Sequence, residues 1–162
     1  MGAGKYLLIG GGIAAIAGYS YYKYAKNNFV VLYQGTSVKS VSSDYRTIGL
    51  DVEFTLSSKA GIEFLVQGLQ FNVYLNGVIV GTGVQAMPID IPGNGSVPMI
   101  VSTTVSLGNI EGSVFSSLLS KITGGGPMVV VIEGAVQAGV NLPLLSYFTL
   151  NYPFNQTEQL PL

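Results

Sequence analysis

Residues 71–80 read FNVYLNGVIV, and the Asn76-Gly77 pair near their centre decides the fold. Phe71, Val73 and Leu75 alternate with Asn72 and Tyr74, the two-residue period of a strand with one buried face. Val78, Ile79 and Val80 follow the pair as a second apolar run. Asn and Gly both accept positive φ, which a two-residue turn between antiparallel strands needs, so the stretch predicts a β-hairpin.

The same period extends outward from the hairpin. Upstream, Leu50, Val52, Phe54 and Leu56 alternate with Asp51, Glu53 and Thr55, which puts the apolar set on one face and the polar set in solvent. Downstream, Pro88, Pro92, Gly93, Asn94, Gly95 and Pro98 cut the chain into turns and edge-like segments. Met99 to Leu107, Met128 to Ala138 and Leu144 to Leu150 read as further strands.

One helix is expected among them. Ile110, Val114, Leu118 and Ile122 recur every fourth residue, with Phe115 and Leu119 widening the stripe. Asn109 is the expected N-cap, Glu111 falls in the expected first turn and Lys121 in the last. Gly124-Gly125-Gly126-Pro127 stops the helix. These glycines do not read as a phosphate cradle, because a strand rather than a helix follows them.

About seven strands with hairpin turns predict a mainly β chain, an Ig/FnIII-like antiparallel β-sandwich with one amphipathic helix across an open end. The chain of 162 residues is long enough for one such core. The expected sandwich domain covers residues 29–152. The polar stretch 153–162 is expected to be loose or docked on a partner.

Ahead of the sandwich, no charged residue occurs from Tyr6 to Tyr22, with Lys5 before this run and Lys23 and Lys26 after it. As a helix, these roughly 17 residues would extend about 25 Å, the short end for a bilayer. Residues 1–28 therefore read as a single N-terminal transmembrane helix with a basic, tyrosine-rich collar. Its anchor residues are Tyr6, Leu7, Leu8, Ile9, Ile13, Ile16, Tyr19, Tyr22, Lys23 and Lys26. Tyrosines at the headgroup level with snorkelling lysines are what a membrane exit requires. Gly10, Ala14 and Gly18 add small residues at four-residue spacing, which permits close helix contacts.

Two other readings fit the same stretch. A cleaved signal peptide would use Lys5 as its charged start, Tyr6 to Ile13 as its core and Ala15-Ile16-Ala17 as its cleavage pattern, although three glycines interrupt that core. A dinucleotide fingerprint would use Leu7-Leu8-Ile9 as a strand followed by Gly10, Gly12 and Ala15 in the spacing G-x-G-x-x-A. That mechanism needs an acid at the end of the next strand, where Tyr33 and Gln34 stand.

Composition narrows the function classes. Charged residues are 9% of the chain against about 25% in a freely soluble domain, so membrane, neighbouring subunits or both are expected to cover the surface. Net charge is −1, which gives no electrostatic footing for nucleic acid. Cys and His are absent, which removes disulfides, thiolate nucleophiles, imidazole bases and most zinc sites.

Among the acids, Asp51 and Glu53 project from one strand face and read as a solvated surface rather than an acid–base or calcium pair. Glu63 alternates with Ile62 and Phe64 in the same way, and Asp90 reads as a turn or strand-edge acid. Glu133 lies in an apolar run and, if buried, would need a partner such as Lys59 or Arg46. No catalytic, cofactor-binding or metal-binding residue emerges, and no cofactor is expected.

Residues 48–107 and 128–150 resemble the type 2 late-embryogenesis-abundant (water-stress and hypersensitive response) domain. The resemblance lies in Ile48-Gly49-Leu50-Asp51-Val52-Glu53-Phe54, in Phe71-Asn72-Val73-Tyr74-Leu75-Asn76-Gly77 running into Gly81, in Ile91-Pro92 to Val101, and in Ile132-Glu133-Gly134. It implies a non-enzymatic sandwich near a membrane, often behind a short N-terminal transmembrane helix, and it supplies no catalytic residues.

The expected function is a membrane-anchored, non-enzymatic β-sandwich acting as a structural or interaction module. Its expected partners are the lipid bilayer and neighbouring protein subunits. Alternatives are a minor capsid- or membrane-associated protein of a membrane-containing bacteriophage virion, a dinucleotide-binding enzyme using Gly10, Gly12 and Ala15, and a carrier of lipid or another small molecule.

Overall fold

The computed structural model describes residues 17–86, 88–108, 110–124, 126–140 and 148–160. Residues 17–28 are helical (α1) and pass without a linker into β1 (Phe29–Val41). There follow β2 (Thr47–Ser58), β3 (Phe64–Leu75), β4 (Val78–Gln85), β5 (Ile89–Ile91) and β6 (Ser96–Ser106). Helix α2 (Gly112–Gly124), β7 (Met128–Val140) and β8 (Phe148–Leu160) complete the order. Every pairing is antiparallel. One sheet has the order β1-β2-β6 and the other β4-β3-β7-β8, with β5 beside β3.

The expected hairpin joins β3 to β4. Asn76 and Gly77 have φ of 48° and 83°, and Leu75 faces Val78 across the turn. The alternation of β2 holds as well: Ile48, Leu50, Val52, Phe54 and Leu56 are all buried, while Glu53 is exposed.

The two sheets meet through an alternating row of rings and glycines. Phe71 of β3 is paired with Gly83 of β4 on one side and Gly134 of β7 on the other, and Gly134 is paired in turn with Phe154 of β8. Phe54 enters from the opposite sheet, its ring centroid 5.9 Å from that of Phe71 and 5.2 Å from that of Phe154. A Cβ at Gly83 would lie 2.1 Å from the Phe71 ring. One at Gly134 would lie 2.2 Å from the Gln70 carbonyl oxygen and 2.6 Å from Phe71 Cβ.

Polar clasps join the sheets along both seams. Between β1 and β8, the Tyr33 hydroxyl donates to the Glu158 carboxylate and lies 2.6 Å from Thr36 Oγ1, and the Thr36 amide donates to the same carboxylate at 3.0 Å. Between β4 and β6, the Thr103 hydroxyl donates to the Thr82 carbonyl at 2.6 Å.

Three expectations need correction. The polar stretch from Pro153 is not a loose tail, because β8 continues to Leu160, which is buried and faces Met128. Strand β8 is the edge of its sheet, where a residue without an N–H is tolerated. The strands number eight among the described residues, β5 being a three-residue addition on β3. Helix α2 starts at Gly112, so Glu111 precedes its first turn and offers its carbonyl to the Phe115 amide at 2.9 Å. The expected cap Asn109 and strand residues 144–147 lie outside the described residues. As expected, α2 covers one end of the sandwich, with Leu118 fully buried and Val114 and Phe115 packed against the core.

The ring-and-glycine row predicts that Gly134→Ala costs about 1–3 kcal/mol, since strand backbone has to shift to admit the methyl group. Gly77→Ala, with open space around it but φ of 83°, is expected to cost about 1 kcal/mol. Urea unfolding compares them, and a Gly134 variant no less stable than the Gly77 variant would contradict the close packing.

The β1–β8 clasp predicts a pH response. Burial, and next the hydrogen bond to Glu158, push the Tyr33 phenol well above its ordinary value of 10.0. The unfolded chain therefore releases this proton first, and the clasp's contribution is complete below pH 10.0 and declines as pH rises beyond it. Tyr33→Phe is expected to be less stable near neutrality by about 1 kcal/mol. It should also show a shallower alkaline decline in urea midpoint than the parent, whereas parallel declines would refute the coupling.

Candidate functional site

The junction between α1 and the sandwich gathers the features that set this chain's geometry. Helix α1 is two-faced: Ala25 is fully buried and Tyr21 packs against the core, while Tyr19, Lys23, Tyr24 and Lys26 are exposed. A methyl side chain at Ala25 lets the helix backbone come close to the domain. The helix end is then closed by side chains, as the unsatisfied carbonyls of a last turn require. Asn28 Nδ2 donates to the Tyr24 carbonyl at 2.8 Å, and the Tyr152 hydroxyl donates to the Lys26 carbonyl at 3.3 Å. The Asn28 carbonyl accepts the Lys59 amide at 2.8 Å, which ties the helix to the turn between β2 and β3.

Aromatic rings complete the joint. Phe29, the first residue of β1, is buried with its ring 4.9 Å from Phe64 and 4.5 Å from Tyr152, and Tyr22 lies 5.6 Å from Phe148. Burial, with Tyr22 as a smaller second cause, pushes the Tyr152 phenol well above its ordinary range. It therefore remains a neutral hydrogen-bond donor at physiological pH.

Of the expected anchor residues, Tyr6, Leu7, Leu8, Ile9, Ile13 and Ile16 lie outside the described residues. Tyr19, Tyr22, Lys23 and Lys26 stand on the exposed side of α1, with Lys23 Nζ 5.6 Å from the Tyr19 ring centroid. Among the described residues no helix is long and apolar enough to cross a membrane, which says nothing of strands. Gly10, Gly12 and Ala15 also lie outside the described residues. The antiparallel sheets that follow them are not the parallel, doubly wound sheet that a dinucleotide fingerprint serves.

A cleft of about 530 Å³ opens beside this junction, lined by Tyr21 of α1, by Ile62, Glu63 and Leu65, and by Asp90 and Gly139. The remaining acids are dispersed. Asp51 lies on the outer face of β2, where it accepts the Ser102 hydroxyl at 2.5 Å and Lys39 Nζ at 3.4 Å. The Ser102 bond is the main cause holding its carboxyl below the usual carboxylate range. Glu53 is exposed on the same strand, and Glu133 is exposed between Asn72 and Asn155, so it needs neither Lys59 nor Arg46 as counter-charge. Among the described residues no group of three or more potential ligands is placed to hold a metal ion.

Sequence reasoning passed over Ala25, Phe148 and Tyr152. The signal for the last two was present: Phe148, Leu150, Tyr152 and Phe154 keep a two-residue period straight through Pro153.

A family model described as late embryogenesis abundant protein matches residues 57–157. Among solved structures, an X-ray structure of a structural-genomics target is 13% identical, with 80% of this chain and 86% of that chain covered and a TM-score of 0.52, a likeness of fold. A solution structure from Arabidopsis thaliana is 13% identical, with 82% of each chain covered and a TM-score of 0.46. A crystal structure of a protein from Archaeoglobus fulgidus is 12% identical, with 80% of this chain and 98% of that one covered and a TM-score of 0.44. No curated protein matches. With well over half of its length matched, and with two antiparallel sheets built on the Asn76-Gly77 hairpin, the chain belongs to the type 2 late embryogenesis abundant family.

Proposed function

We propose that this chain is a membrane-anchored, non-enzymatic sandwich that serves as a structural or interaction module. The observation that carries the reading is the continuity of α1 with β1: the helix that emerges from the charge-free run enters the domain without a linker and is clamped at its last turn. A helix lodged in a bilayer would then hold the sandwich at a set angle to the lipid surface. Tyr19 and Tyr22 would lie at the headgroup level, with Lys23 and Lys26 toward anionic lipid.

The strand order supports an Ig/FnIII-like body. Strands β1-β2-β6 take the positions A-B-E, and β4-β3-β7-β8 take the positions C′-C-F-G. Such a body offers surfaces for neighbouring subunits: Ile79 and Val84 on β4 and Ile100 on β6 are exposed large apolar side chains. In this reading the protein sits in the membrane as a single-pass component with its sandwich outside the hydrocarbon.

Carbonate extraction of native membranes, followed by protease protection, tests the anchor. The full chain is expected to stay with the pellet, and protease should leave either the sandwich or a short N-terminal fragment intact, which assigns the side. Release of the chain by carbonate would overturn the proposal.

A further inference from the structure

The cleft beside α1 has a chemistry of its own. Leu65 faces Asp90 of β5 on one side and Gly139 of β7 on the other, so the three positions share a face. Glu63, two residues before Leu65, lines the same cleft, as does Tyr21 of α1. Both titratable side chains that line the space, apart from the Tyr21 phenol, are carboxylates. Among the described residues neither forms an ion pair, whereas Lys39 pairs with Asp51.

We propose that this cleft binds an organic ammonium group, with Glu63 and Asp90 as its counter-charges and the Tyr21 ring as a cation–π wall. Three considerations select that class. The volume of about 530 Å³ falls in the range of small-molecule sites and exceeds what a bare ion needs. Two carboxylates fall short of the six to eight oxygens that calcium takes, about a full shell. The Tyr21, Ile62 and Leu65 surfaces suit methyl and methylene groups, which an alkylated ammonium carries and a hydrated metal ion does not. The cation can come from a zwitterionic lipid headgroup or from a soluble quaternary amine. The inference stands on the described residues and does not require the membrane anchor.

The test is titration of the isotope-labelled full-length chain, in a detergent free of ammonium groups, with choline chloride against sodium chloride at equal ionic strength. Saturable shifts at the Tyr21, Leu65 and Gly139 amides are expected with choline alone. The double variant Glu63→Gln, Asp90→Asn, both positions being exposed, should keep the parent's urea midpoint and weaken binding about tenfold. A second arm separates the sources. Competition against choline by phosphatidylcholine added to the detergent micelles, and not by phosphatidylglycerol added in the same way, identifies the lipid headgroup; no competition by either identifies a soluble amine. Absence of a saturable choline response, or a response of equal strength in the double variant, overturns the assignment.

Discussion

The placement of Phe71 between two glycines is the constraint on which the rest of the structure depends. Facing sheets stand about 10 Å apart, and side chains from both must fill that layer without colliding. Here the larger sheet alternates nothing and ring across four strands, Gly83, Phe71, Gly134 and Phe154. The smaller sheet drives Phe54 into the row. Any side chain at Gly134 would occupy space held by strand backbone, so the two rings could not both point inward at their present separation. Alternation of large and small groups across facing positions is what lets layers interlock. The separation of the sheets, and through it the reach of the Tyr33–Glu158 and Thr103–Thr82 clasps, follows from it.

With its seams closed, the sandwich exposes its two ends, and the chain treats them differently. At one end α2 lies over the core through Leu118, Val114 and Phe115. At the other, α1 arrives and becomes β1 within one peptide bond. Anchors and domains are often joined by flexible linkers whose composition sets reach rather than direction. In this chain the joint is packed: the Phe29 ring lies tilted against those of Phe64 and Tyr152, and three backbone carbonyls in the last helical turn and at its exit find donors. Force or reorientation applied to α1 is therefore transmitted to the sheets.

What could be read from the sequence follows the range of the interactions involved. The β3–β4 hairpin was legible because its turn chemistry and the strand residues flanking the turn lie within ten residues, as were the inward face of β2 and the apolar stripe of α2. The Tyr33–Glu158 clasp joins residues 125 apart, and no local pattern announces it. Pro153 misled because proline ends most strands; its tolerance depends on β8 being an edge, a fact of sheet order and not of sequence. The apolar neighbours of Glu133 left its burial open, and the two-residue period of β7 turns it outward while Ile132 turns in. The cleft was invisible for the same reason as the clasp: Leu65, Asp90 and Gly139 become neighbours only through the register of three strands.

The family match begins at residue 57, at the end of β2, and ends at residue 157. It leaves out α1, β1 and most of β2, yet these complete the core that the matched strands share. Strand β1 pairs with β2 from Phe29 to Val41, supplies Tyr33 to the seam and buries Phe29 against Phe64. Without it, the polar group Glu158 would lose both its donors on that strand, and β2 would become an exposed edge. The helix and the domain are thus not separable parts joined in series. The strand that closes the common fold is also the strand that fastens α1, so α1 keeps a fixed orientation relative to both sheets.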